Sequence, residues 1–178
     1  MVKILIGLVI VTVVVIATFL VLDPNVGLVQ TGSPVTEVSS NNLTVTVEGE
    51  VYKPGTYTLE DNSTMADLIE AAGGATSGAD ARAYYETATL TSGVTYYIAS
   101  LYDANDLCNA EEIAKVNINS DNAETLATIN GITSTIANSI VSYRGEKGLF
   151  STLEDLLEVY GIGPATYKKV RSYVILHA

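Results

Sequence analysis

The chain has 178 residues, nine lysines and arginines against twenty aspartates and glutamates, and a formal net charge of -11. One cysteine, Cys108, excludes an intramolecular disulfide and a cysteine-built metal site; one histidine, His177, excludes histidine-pair zinc chemistry and argues against a His-dependent triad. The acidity argues against a nucleic-acid partner only on average, since residues 41–114 hold twelve acids and two bases whereas residues 115–178 hold six of each.

Residues 4–22 form an unbroken run of 19 without a charge, Pro, Asn or Gln, the length that a bilayer core requires of a helix. With Lys3 before the run and Asp23 after it, the positive-inside tendency predicts a single-pass anchor over residues 1–22, the N-terminus cytoplasmic and the bulk of the chain extracellular, at the cell membrane. A cleaved signal peptide has a shorter apolar core and ends in a small-x-small site, which is missing here. Residues 23–42 mix Pro, Gly, Ser, Thr and Asn without periodicity and read as a flexible tether.

Residues 43–102 read as a small α+β domain. Leu43, Val45 and Val47 alternate with polar residues, and Tyr57 and Leu59 resume the alternation after a Lys53-Pro54-Gly55 turn, which predicts a hairpin. Met65, Leu68, Ile69 and Ala72 have helical spacing, with Ser63 as the expected N-cap and Gly73-Gly74 as the stop. Residues 84–90 and 94–98 are expected to be two further strands. The strings VEGEVYKPGTYTL and DLIEAAGG resemble the SLBB, or soluble-ligand-binding β-grasp, family. The resemblance implies a module for binding or self-association, and its acidity gives it no role toward DNA. Residues 103–115 are expected to be an acidic linker.

Residues 116–178 are expected to be an all-α domain built on an internal repeat. TLATINGITSTIANSIVSY (residues 125–143) overlays DLLEVYGIGPATYKKVRSY (residues 155–173) at an offset of 30, one supersecondary unit used twice. Each copy reads as helix, hairpin, helix. Ser151 to Glu154 is expected to form the capping box of the second copy, and Tyr167, Val170 and Val174 the buried stripe of its second helix. In Gly161-Ile162-Gly163 the first glycine suits a left-handed turn, the isoleucine plugs the space between helices, and the second glycine lets a ligand approach the backbone. Pro164 starts a helix where its missing N–H costs little. The free N–H groups of such a hairpin suit a phosphate, and Lys168, Lys169 and Arg171 follow within two turns.

The whole of residues 116–176 resembles the C-terminal tandem helix-hairpin-helix module of the competence protein ComEA family. With an anchor and an SLBB-like domain before it, the chain resembles the full Gram-positive architecture, a receptor for DNA in transformation. The resemblance implies a phosphate-backbone site on double-stranded DNA formed by Gly131, Ile132, Thr133 and Ser134 in the first hairpin and Gly161, Ile162, Gly163 and Ala165 in the second. Lys168, Lys169, Arg171 and Arg144 would surround it, with Lys147 and Lys115 as peripheral help. The first copy departs from the pattern: Thr133 replaces the second glycine, and Asn138, Ser139 and Val141 stand where the second copy has its three cations. An asymmetric grip dominated by the second hairpin is therefore expected.

Phosphate contacts carry no base information, so binding is expected to be sequence-independent and salt-sensitive. A DNA-uptake channel and self-association through the SLBB-like domain are the further expected partners. No cofactor or metal is expected, and no enzymatic activity, because the carboxylates come with no nucleophile motif and no ligand spacing. The alternative is a cell-surface assembly or adhesion protein in which both domains bind protein, a reading favoured by the net charge and the altered first hairpin. Most of the eleven tyrosines, in a chain without tryptophan, are expected to serve core and sheet.

Overall fold

The computed structural model describes residues 42–102 and 112–178, which belong to one compact unit, Ser40–Ala178. The apolar run, most of the tether, most of the acidic linker and Cys108 lie outside the described residues. Among the described residues no helix is long and apolar enough to cross a membrane.

The first half is a three-stranded mixed sheet crossed by a helix. Strand β1 (Asn42–Gly49) pairs antiparallel with β2 (Gly55–Glu60), with Leu43 opposite Leu59 and Val47 opposite Gly55. The period-2 pattern buries Leu43, Val45 and Val47 on one face, as the alternation predicted. Strand β3 (Thr95–Ile98) runs parallel to β1 on its other side, so β1 is central in the order β2-β1-β3. Gly49 is left-handed at φ +90, and a Cβ there would stand 2.1 Å from the Ile98 carbonyl oxygen; only glycine fits.

Helix α1 (Met65–Ala71) buries Met65 and Leu68 against this sheet. Its N-cap is Thr64, one residue after the expected Ser63, because Asp67 at N3 accepts from the Thr64 N–H at 2.7 Å and its hydroxyl at 2.9 Å.

Residues 84–90 are a loop, not the expected strand. They are spent on the start of α1: Met65 N–H donates to the Ala88 carbonyl and Ala66 N–H to the Glu86 carbonyl. Acceptors committed to orphan helix donors are lost to a ladder.

In the second half α2 (Ala123–Leu126) is a single turn capped by Asn122, α3 (Ser134–Glu146) is the long helix, residues Leu153–Glu158 form a 3₁₀ turn, and α4 (Pro164–Val170) completes the second copy. The half is not all-α. Strand β4 (Val116–Asn117) pairs in parallel with β5 (Val174–Ile175), so Val174 is buried in a strand beyond α4, not on that helix's stripe. The capping box is also one residue later than expected, at Thr152 and Asp155.

The 30-residue offset is visible in the packing. Leu126, Ile129, Ile132, Ala137 and Ile140 and their counterparts Leu156, Val159, Ile162, Tyr167 and Val170 are all buried in one cluster. That cluster also takes in Ala83 and Ala99 of the first half. Tyr85 stacks on His177 at 4.8 Å between centroids, and Leu176 N–H donates to the Arg82 carbonyl at 2.9 Å.

Candidate nucleic-acid interface

Both hairpins have the same backbone. Gly131 and Gly161 are left-handed at φ +113 and +93, and Ile132 and Ile162 are buried behind them. Thr133 and Gly163 then occupy equivalent N-cap positions, both extended, at φ -78, ψ 163 and φ -96, ψ 176. Thr133 uses its hydroxyl oxygen to accept from Ile136 N–H at 3.3 Å. Gly163 has no side chain and Pro164 no N–H, so the first-turn N–H groups of Ala165 and Thr166 have no acceptor within the helix. Thr133, Ser134, Gly161, Gly163 and Ala165 are exposed. Tyr160, just before the second hairpin, is 84% exposed.

The cations do not form one group. Lys168 and Lys169 are exposed on α4, and Lys169 Nζ donates to Asn130 Oδ1 of the first hairpin at 2.9 Å. Arg171 turns away to the first half of the chain. Its side chain is 16% exposed, pairs with Glu48 of β1 at 3.2 Å, and lies 3.8 Å above the Tyr97 ring of β3. Arg144 is half-buried and donates to the Ile118 carbonyl at 2.8 Å, tying α3 to the end of β4. Lys147 is exposed at the C-cap of α3.

Lys115, expected to help at the periphery, is buried. Its side chain is 1% exposed, pairs with Asp80 at 2.8 Å and donates to the Ser100 carbonyl at 2.7 Å. Burial pushes the Asp80 carboxyl up, but hydrogen bonds from Arg82 and Lys115 outweigh it and hold the pKa at about 2. Such a lysine is a structural counter-charge and is closed to a polyanion.

Two known families match along the chain. Residues 44–97 match the SLBB domain and residues 111–175 the helix-hairpin-helix motif. ComE operon protein 1 of Bacillus subtilis is 29% identical over 145 residues, 76% of this chain and 71% of that protein.

The chain is similar to the ComEA family in both domains and in their order.

Shorter matches reach endonuclease/exonuclease/phosphatase family domain-containing protein 1, 40% identical over 68 residues in Homo sapiens and 34% over 61 residues in Xenopus laevis. The chain spans 11% of the length of each of those two proteins.

Sequence reasoning missed one group. Glu154, expected in a capping box, is a buried carboxylate between the halves. Its Oε1 accepts from Tyr97 N–H of β3 at 2.8 Å and from the Tyr167 hydroxyl of α4 at 2.7 Å. Burial pushes its carboxyl up, against the two hydrogen bonds, and burial together with the Glu154 charge pushes the Tyr167 hydroxyl up. The Tyr97 and Ser172 hydroxyls lie 3.0 Å apart and add a second link from β3 to the segment after α4. Thus Glu154, Arg171, Tyr97, Tyr167 and Glu48 form a clasp that fixes the second hairpin's helix on the β-grasp sheet. The hint available in the sequence was an acid one residue out of register for capping.

Proposed function

We propose that this protein is a membrane-anchored extracellular receptor that holds double-stranded DNA by its phosphate backbone, without base preference, for uptake in transformation. The observation that carries the reading is the pair of equivalent hairpins in a chain similar to this family, each with a left-handed glycine and a buried isoleucine. N–H groups at the hairpins and the ammonium groups of Lys168 and Lys169 are the donors that phosphate oxygens need. The reading is retention with no chemical step. Residues 4–22 would be the anchor, and weak grips on many copies would add by avidity. The acidic β-grasp half, poorly suited to a polyanion, would meet an uptake channel or another copy.

Assembly on a cell surface through both halves is the second reading, favoured by the net charge of -11.

The test is duplex binding by the detergent-solubilised chain over a salt series, beside a variant carrying Lys168→Ala and Lys169→Ala. The receptor reading expects binding that weakens with salt and a plot of log affinity against log salt whose slope falls by about 2 in the variant, near 0.9 for each lost phosphate contact. No binding at low salt would sink it in favour of assembly.

A further inference from the structure

The first hairpin has no cation at the positions that supply them in the second. Where the second copy carries Lys168, Lys169 and Arg171, the first carries Asn138, Ser139 and Val141. The two copies exchange side chains across their interface, and the exchange is unequal. Gly161 of the second hairpin faces Ile136 of α3, whose Cγ1 lies 3.1 Å from where a Cβ would stand. Gly131 of the first hairpin faces α4 instead, and a Cβ there would stand 3.1 Å from Val170 Cγ1, 3.2 Å from Lys169 Cδ and 3.7 Å from Lys169 Cε. The lysine stem therefore crosses the bare glycine, and its ammonium reaches Asn130 on the far side at 2.9 Å. Asn130 and Lys169 are both exposed and share the lining of an open cleft of 440 Å³. An ammonium has three donors, so one bond to Asn130 leaves others for phosphate oxygens.

We propose that Lys169 is the phosphate-binding cation of the first hairpin, lent by the second copy and aimed by Asn130. The inference rests on the reading of the tandem as a duplex-binding module and assigns one of its charges to the copy that lacks them. The altered first hairpin is then a working half of the grip, and the asymmetry of the sequence is repaired in three dimensions.

The positions to disable each hairpin separately are Thr133 and Gly163. Both are extended, exposed N-caps, and a Cβ at Gly163 meets nothing within 4 Å. Aspartate is a good N-cap residue, so Thr133→Asp and Gly163→Asp preserve the backbone while setting a carboxylate where a phosphate would lie. Duplex affinity is measured for the full chain in neutral detergent, with Lys169→Ala introduced alone and into each of the two backgrounds. Lys169→Ala alone is expected to weaken binding roughly tenfold and to lower the salt slope by about 0.9. The same loss is expected in the Gly163→Asp background and almost none in the Thr133→Asp background. Asn130→Ala, which keeps the charge and loses the aim, is expected to follow the same pattern with a smaller loss. The reverse pattern, in which Lys169→Ala is silent only beside Gly163→Asp, would assign the lysine to its own hairpin and overturn the proposal, as would no effect in any background. If the unaltered chain fails to bind duplex, the receptor reading itself falls and takes the proposal with it.

Discussion

Gly161 and Gly163 stand two residues apart and serve different needs. Gly161 is left-handed, with Ile136 against the place of its missing Cβ. Gly163 is extended and has open space. Gly161→Ala is therefore expected to cost about 1–2 kcal/mol of stability from the left-handed backbone, with the Ile136 contact adding to it. Gly163→Ala is expected to stay within about 0.5 kcal/mol and to act on DNA affinity alone. Denaturant melts of the two variants decide it, and equal losses would refute the distinction. The sequence marks Thr133 as the first copy's departure from the Gly-Ile-Gly string of the second. The equivalent backbone angles of Thr133 and Gly163 show that a β-branched residue sits there without strain and caps the helix. Glycine serves a backbone need at one position and a ligand's need at the other, and the backbone angle and the space around the missing Cβ separate the two. Of the tyrosines expected in core or sheet, Tyr96 and Tyr167 are buried, while Tyr52, Tyr102, Tyr160 and Tyr173 are exposed.

Among the elements, the periodic ones were legible and the boundaries were not. Strand β1, strand β2 and helix α1 follow their hydrophobic spacing. Both N-caps, however, fall one residue later than the serines expected there, because the residue three before an aspartate wins in each case, Thr64 with Asp67 and Thr152 with Asp155. That shift in the second copy frees Glu154 to turn inward and join the 3₁₀ turn to β3 and α4. A buried carboxyl whose pKa is raised takes up a proton in the folded state before the unfolded chain does. Its contribution therefore favours the fold below that raised value and declines as pH rises from the ordinary carboxylate range through it. Glu154→Gln keeps an oxygen to accept from Tyr97 and Tyr167 and removes the titration. Its stability is expected to equal or exceed that of the parent at neutral pH and to lose the parent's decline over that window. Glu154→Ala orphans two buried donors at about 1–3 kcal/mol each. Chemical denaturation at a series of pH values checks both, and an unchanged pH profile in Glu154→Gln would show that Glu154 does not titrate in this way. Residues 84–90 were misread for a related reason, since strand-like composition does not reveal that the carbonyls are engaged by the start of α1.

For the molecule as a whole, the sequence points to two domains joined by a linker, and in the described residues the two matched stretches share a core boundary and a clasp. Side chains more than 70 residues apart make that junction: Arg171 with Glu48, Tyr97 with Ser172, Tyr85 with Leu176. Local pattern cannot register contacts of that separation. Arg171 and Lys168 were read as one basic cluster and are expected to behave oppositely. Arg171→Ala is expected to lower stability by about 1–2 kcal/mol through the lost stacking and ion pair, with little change in the salt slope of DNA binding. Lys168→Ala is expected to lower the slope and leave stability alone; thermal melts and salt titrations of the pair check this, and a swapped result would place Arg171 in the grip. The order β2-β1-β3 also has a mechanical meaning. On the proposed reading of an anchored DNA receptor, a duplex pulled at the hairpins would load α4 and, through the clasp, β3, while the anchor would resist through Asn42, the beginning of β1. Because β1 and β3 run parallel from Thr46 opposite Thr95 to Gly49 opposite Ile98, opposite tension on the start of one and the end of the other slides them lengthwise. Their hydrogen bonds would then give way together and not in sequence like a zip, so the proposed tether would load this strand pair in its more resistant direction.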